Sequence, residues 1–182
     1  MAHPTERRED NPVTDTAQPE PTIPLGREVL SGVKVVEFAH VIAGPLAGTL
    51  LADLGAEVVH VEEPTTGDPG RKQGPPKDDT YLWWKVSARN KRSVALDLRE
   101  PEGQQLAHKL AAWADVVIVN MRYDTLVKWQ LDFESLHEVN PKLVMLQISG
   151  FGANTSMRNA PGFGKVGEAL SLIHISEPTR PY

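Results

Sequence analysis

The chain has 182 residues, of which 40% are hydrophobic and 24% charged, which leaves room for one domain with a real core and excludes disorder as a whole. A net charge of −5 from dispersed acidic residues argues against a nucleic-acid binder, and the absence of cysteine excludes disulfides and thiolate metal sites. No apolar segment approaches the roughly 18 residues of a membrane span, and MAHPTERREDNPVTD lacks the apolar core of a secretion signal, so no membrane association and a cytoplasmic location are expected.

In chain order, residues 1–27 hold five prolines (Pro4, Pro12, Pro19, Pro21, Pro24) and almost nothing large and apolar before Ile23, the composition of a disordered tail. The stretch Val33 to Glu63 then reads as strand, helix and strand: an apolar run (Val33, Val35, Val36, Phe38), a loop with His40, Gly44 and Pro45, a helical segment, and a second apolar run (Val58, Val59, Val61). This fits a right-handed βαβ crossover with strands covered on both faces. Leu46, Leu50, Leu51 and Leu54 are spaced to share one helix face, Ala47, Gly48 and Ala52 let the helix lie close to the sheet, and Gly55 is placed to stop it. Ligands of open α/β sheets dock at the carboxyl ends of strands, so His40 to Pro45 lies where a nucleotide-like ligand would sit.

The segment PTTGDPGRKQGPPKDD, residues 64–79, is expected to be an exposed connection longer than a plain connector needs. Tyr81, Leu82, Trp83 and Trp84 lead into the basic run Ser87 to Ser93, a pairing suited to stacking a base and holding phosphates. A short strand over 94–98 follows, then a helix from Pro101 to Ala114 with proline and acid at its start, then the apolar strand Val116 to Val119 with Asn120, Met121 and Arg122 at its end. A helical turn over 126–131, a helix over 133–139, a strand over 143–148 and the turn Ser149 to Gly152 complete the pattern. The alternation predicts an α/β chain with a Rossmann-like, doubly wound, mostly parallel sheet.

Familiar catalytic motifs do not fit. The βα loop reads AGPLAG, with Gly44 and Gly48 four apart, so the GxGxxG fingerprint of a nicotinamide enzyme fails although Glu62 and Glu63 offer the acid. The P-loop pattern is absent, and Ser149, which one would pair with His137 or His40, is not set in GxSxG.

Five segments carry a resemblance: LSGVKVVEFAHVIAGPLAGTLLADLGAEVVHVEEP, RNKRSVALDLREPEG, ADVVIVNMR, NPKLVMLQISGFG and APGFGKVGEAL. Together, from about Val29 to Leu170, they resemble the amino-terminal part of the class III CoA-transferases, which include formyl-CoA:oxalate and carnitine CoA-transferases and, as relatives, the α-methylacyl-CoA racemases. The resemblance implies a Rossmann-like CoA-binding large domain over residues 28–170, the incomplete first half of a larger two-domain interlocked fold, and a homodimer of interlocked rings. It implies transfer of CoA from an acyl-CoA donor to a carboxylic acid through an aspartyl covalent intermediate, with the coenzyme A thioester as substrate, no permanently bound cofactor and no metal. The CoA contacts it implies fall on His40, Val41, Ile42 and Ala43, on Asn90, Lys91 and Arg92, on Asn120 and Met121, and on Lys128. Some relatives carry an arginine after the acid of the second strand, where this chain has Glu63.

The same resemblance places the catalytic aspartate some tens of residues beyond the Gly162–Leu170 motif, so no residue of this chain is assigned as catalytic. Racemases have a histidine and an acid where this chain reads Phe163-Gly164, which favours the transferase over the racemase. The ending, LSLIHISEPTR followed by Pro181 and Tyr182, resembles a translated transposon-library sequencing adapter, so residues 171–182 are expected to be an assembly artefact. The competing expectations are a non-catalytic CoA- or nucleotide-binding module and a nicotinamide-dependent oxidoreductase.

Overall fold

A computed structural model describes residues 29–171; the expected tail over 1–27, and all but the first residue of the expected adapter segment 171–182, lie outside the described residues. Five parallel strands form the central sheet: β1 (Lys34–Phe38), β2 (Glu57–Glu62), β5 (Lys91–Ala95), β6 (Val116–Val119) and β7 (Val144–Gln147). Their spatial order is β5-β2-β1-β6-β7, so the chain winds outward from β1 in one direction and then returns to wind outward in the other. That is the doubly wound order of Rossmann-type sheets, with its switch point between β1 and β6. A small antiparallel hairpin, β3 (Pro76–Lys77) and β4 (Thr80–Tyr81), stands apart from it.

Helices cover the two faces unequally. On one face α3 (Pro101–Trp113), α4 (Tyr123–Lys128) and α5 (Phe133–Val139) pack over the larger core, in which Val36, Phe38, Val59, Val61, Val117 and Val119 meet Ala107, Ala111, Leu126, Leu131 and Leu136. Pro101 starts α3 where no N–H is needed, and the Asp132 carboxylate caps α5 by accepting the Ser135 N–H at 3.2 Å. On the other face α1 (Ala43–Asp53) covers a smaller apolar cluster built on Val35, Val58, Ile118 and Ala52, and α2 (Leu82–Ser87) packs beside α1. A final helix, α6 (Gly164–Ser171), was not anticipated from the sequence.

Three sequence expectations change here. The strand expected over 94–98 lies at Lys91–Ala95, taking the basic run into the sheet, because Lys91 and Ser93 have buried partners there. The helical turn expected over 126–131 begins earlier, as α4 (Tyr123–Lys128). Of the leucines expected on the buried face of α1 only Leu51 packs inward; Gly44, Pro45, Gly48, Thr49 and Ala52 form that face, while Leu46, Leu50 and Leu54 are 46%, 56% and 40% exposed. Small residues win the inner face because a charged side chain, Glu37, rises from β1 directly beneath the helix. A Cβ at Gly48 would lie 1.4 Å from Glu37 Oε1, and one at Gly44 would lie 2.3 Å from the Ala39 Cβ.

Gly48→Ala is therefore expected to destabilise the chain by about 3 kcal/mol or more, since it overpacks against a buried carboxylate that has no free space to enter. Leu50→Ala on the outer side of the same helix should cost no more than about 0.5 kcal/mol. Urea denaturation midpoints of the two variants check both values.

Candidate functional site

The carboxyl ends of β1 and β6 diverge at the switch point, and one side chain spans the gap. Asn120, just past β6, accepts the His40 N–H on Oδ1 at 2.9 Å and donates through Nδ2 to the His40 carbonyl at 2.7 Å. Both backbone groups of His40 are thus answered by one amide, which fixes where the chain leaves the sheet. Val41 follows with φ of 68°, a left-handed conformation that a β-branched residue adopts at a cost of about 1–3 kcal/mol. Helix α1 then begins at Ala43 behind Ile42, with neither a capping side chain nor an acidic residue in its first turn. Pro45 in that turn has no N–H, and the N–H groups of the other first-turn residues with the positive dipole end are the ordinary setting for an anionic oxygen.

What holds Val41 in place is Asp68, in the segment read from sequence as an exposed connection. Asp68 is 1% exposed; its carboxylate accepts the Val41 N–H at 3.0 and 3.2 Å and the Gly70 N–H at 2.6 Å. The Asp68 N–H in turn donates to Glu62 Oε2 at 2.9 Å, and Glu62 also receives two hydrogen bonds of 2.6 Å from Arg71 and one of 2.5 Å from Ser93 Oγ. The segment folds back as a 3₁₀ turn, Pro69–Lys72, and becomes part of the site because these bonds outweigh its loop-like composition.

Behind Asp68 runs a row of alternating charges. His60 Nε2 lies 3.2 Å from Asp68 Oδ2, an ion pair off the line of a good hydrogen bond; its Nδ1 is 2.7 Å from Glu37 Oε2; and Lys91 Nζ sits 2.8 and 3.0 Å from the two Glu37 oxygens while donating to the Pro45 carbonyl. Burial alone would lower the His60 pKa, but the contacts with Asp68 and Glu37 overcome it and raise it to about 9, so the ring is a cation at neutral pH. Burial also opposes the charge on Asp68, yet His60 and the two N–H donors hold its pKa below the ordinary value. His40 is the opposite case. Burial lowers its pKa despite the Asp68 charge, and its Nδ1 is buried without a hydrogen-bond partner among the described residues.

The sequence-read candidates separate into two groups. His40, Val41, Ile42, Ala43 and Asn120 meet at the switch point, with Met121 buried beside Asn120 and Lys128 exposed in the last turn of α4. Asn90, Lys91 and Arg92 do not join them. Arg92 pairs in register with Val59, near the opposite end of β2, and binds Glu57 at 2.6 Å, whereas Asn90 donates to Asp53 at the far end of α1. The Lys91 side chain is 3% exposed, and its ammonium lies against Glu37 rather than toward solvent. Trp84 does not present an open stacking face on the side Arg71 covers, 4.4 Å from the ring centroid. A cavity of about 150 Å³ beside it is lined by His60, Glu62, Arg71 and Ser93. Glu63, at the place of the relatives' arginine, accepts the Thr65 and Thr66 N–H groups.

Sequence reasoning missed Glu37, His60, Glu62 and Asp68. The signal was present as alternation: Glu37 on β1, His60 and Glu62 on β2, and Lys91 and Ser93 on β5 all point to the α1 side of the sheet, where a fully apolar strand would carry valines.

An all-parallel doubly wound sheet, with its switch point between β1 and β6, defines the class as a Rossmann-type α/β protein. The chain belongs to CoA-transferase family III, whose sequence model matches residues 30–179. Succinyl-CoA–D-citramalate CoA-transferase of Chloroflexus aurantiacus is 46% identical over 155 residues, covering 84% of this chain and 39% of that protein. Succinate–glutarate CoA-transferase of Agrobacterium fabrum is 40% identical, covering 82% and 39% respectively. Among solved structures, a CAIB/BAIF family protein from Brucella suis superposes with a TM-score of 0.73 at 40% identity, over 79% of this chain and 39% of that one. The chain spans about two fifths of the length of the curated relatives it matches.

The stability of the chain should depend on His60 between pH 6.5 and 9. A histidine whose folded pKa of about 9 exceeds its unfolded value contributes fully below about 6.5, and that contribution, on the order of 3 kcal/mol shared with its partners, is lost as pH rises through 9. Urea midpoints across pH 6–10 should fall over this window in the native chain. In His60→Gln the midpoint should be lower at pH 6.5 and this fall should be absent.

Proposed function

We propose that the protein containing this chain transfers CoA from an acyl-CoA donor to a free carboxylic acid, and that residues 28–170 supply its CoA-binding surface. The observation that carries the reading is the geometry at the switch point, where the Asn120–His40 hydrogen bonds and the uncapped start of α1 coincide with the loop to which the family resemblance assigns CoA contacts. Coenzyme A brings a pyrophosphate and a 3′-phosphate, which suit the N–H groups at a helix start and an exposed cation such as Lys128. In this proposal His40 to Ala43, Asn120, Met121 and Lys128 line the ligand edge. Lys91 braces it from behind through its ion pair with Glu37, while Asn90 and Arg92 hold Asp53 and Glu57 away from that edge.

The chemistry proposed is covalent catalysis by an aspartate outside this chain. Its carboxylate attacks the donor thioester carbonyl and the CoA thiolate leaves, giving a mixed anhydride. The thiolate then attacks the aspartyl carbonyl of that anhydride, which releases the donor acid and leaves the aspartyl thioester from which CoA passes to the acceptor. The names of the relatives favour succinyl-CoA as donor and a dicarboxylic or hydroxydicarboxylic acid as acceptor. The proposal includes a homodimer and a cytoplasmic location; among the described residues no helix is long and apolar enough to cross a membrane.

The test pairs chemistry with binding. The whole protein, given succinyl-CoA and a panel of dicarboxylic acids, should form the acceptor's CoA thioester, followed by chromatography; succinyl-CoA left unconsumed with every acid would refute transfer from this donor. The 182-residue chain alone should bind CoA weakly and turn over no acyl-CoA. In titration calorimetry of that chain, Lys128→Ala should weaken CoA binding by about three- to tenfold and Arg92→Ala by less than about twofold. Equal losses in both variants would remove the distinction between the two groups.

A further inference from the structure

We propose that Asp68 is the positioning residue of the ligand edge: its carboxylate, backed by His60, holds Val41 left-handed and so sets the course of the His40–Ala43 loop into α1. This rests on the reading that the loop meets CoA. Four geometric facts carry it. Val41 has a φ of 68°, a conformation its branched side chain disfavours, so something outside the residue must impose it. Both Asp68 oxygens lie within 3.2 Å of the Val41 nitrogen, and Oδ1 also accepts from Gly70 at 2.6 Å, which ties loop and turn to one group. The turn fits closely on the other side of Val41 as well, because a Cβ at Gly70 would come within 3.2 Å of the Val41 carbonyl oxygen. Finally, Asp68 is 1% exposed and cannot itself be a surface ligand, whereas Ile42, one residue beyond Val41, is 44% exposed.

The arrangement behind Asp68 makes it rigid. Its carboxylate is approached by His60 Nε2 at 3.2 Å, and the ring is held from its other side by Glu37, itself gripped by Lys91. Asp68 therefore acts through Val41 and touches no substrate in this assignment. The side chain transmits the rigidity of the sheet, through β2 and β1, to a loop that composition alone would leave loose.

The experiment uses the 182-residue chain and CoA itself. Asp68→Asn keeps the size of the side chain and removes its charge. Calorimetry should show CoA affinity reduced about tenfold, the loss of a charge-assisted hydrogen bond, and hydrogen exchange of the Val41 amide should accelerate. Adding Val41→Gly to that variant restores a residue for which the left-handed conformation costs nothing. The double variant should bind CoA more tightly than Asp68→Asn, short of the native chain by whatever the Val41 side chain contributes at the ligand edge. It also offsets the lost stability, so that a folded protein without the carboxylate is at hand should the single variant fail to fold. Native affinity in Asp68→Asn, or a double variant as weak as the single one, would overturn the positioning role. If the native chain binds no CoA, the ligand reading of the loop falls, and exchange at Val41 alone decides whether Asp68 holds it.

Discussion

A fully buried carboxylate in the central strand is the constraint from which most of this structure follows. Glu37 has no exposure, and an unpaired charge there would cost several kcal/mol, so its neighbours are chosen by it. Lys91 and His60 supply the positive partners from β5 and β2, on the same face of the sheet. The helix above must then carry small residues where it crosses, which is why Gly48 sits over the carboxylate and Leu46 and Leu50 turn outward. The helix lies close enough for the Pro45 carbonyl to accept from Lys91, and for Thr49 Oγ1 to reach both that carbonyl and the one of Ser87.

Alternation of sign lets the row extend. Lys91, Glu37, protonated His60 and Asp68 form a line of plus, minus, plus and minus whose sum is zero. A low-dielectric interior that would reject any one of them tolerates the set, because each charge has an opposite neighbour within hydrogen-bonding or ion-pair distance. The line also has direction. It starts under the body of the sheet and ends on backbone N–H groups at the sheet's functional edge, linking the buried strands to the loop where a ligand is proposed to rest. Glu62, with its pKa lowered to about 2 by Arg71, Ser93 and the Asp68 N–H despite its burial, anchors the same turn from a second side.

Much of the fold could be read before the structure. The apolar runs at Val33–Phe38, Val58–Val61 and Val116–Val119 are strands because parallel strands covered on both sides need such runs, and the doubly wound order follows from their alternation with helices. The loop at His40–Ala43 and the amide at Asn120 were likewise legible, since strand ends at a switch point attract polar groups. What could not be read has a common cause. The spacing of Leu46, Leu50 and Leu54 marks a helix face but does not say which face is inward, and only the buried Glu37 decides that. The run Asn90-Lys91-Arg92 looks like one basic patch, yet consecutive strand residues point to opposite sides, so Lys91 goes to the interior and Arg92 to solvent. Asp68 was hidden by its surroundings, because prolines and glycines signal a turn without revealing that the turn folds back under the sheet edge.

The contact between Gly48 and Glu37 also bears on how such a chain can drift. A methyl group has no room at position 48 while the carboxylate stands, removing the carboxylate leaves His60 and Lys91 short of a partner, and losing either cation leaves the acid with only one of its two. Each single step is expected to lower stability more than a concerted change would. The four positions are thus energetically coupled, and lineages that depart from this arrangement are expected to do so by paired replacements rather than by gradual substitution.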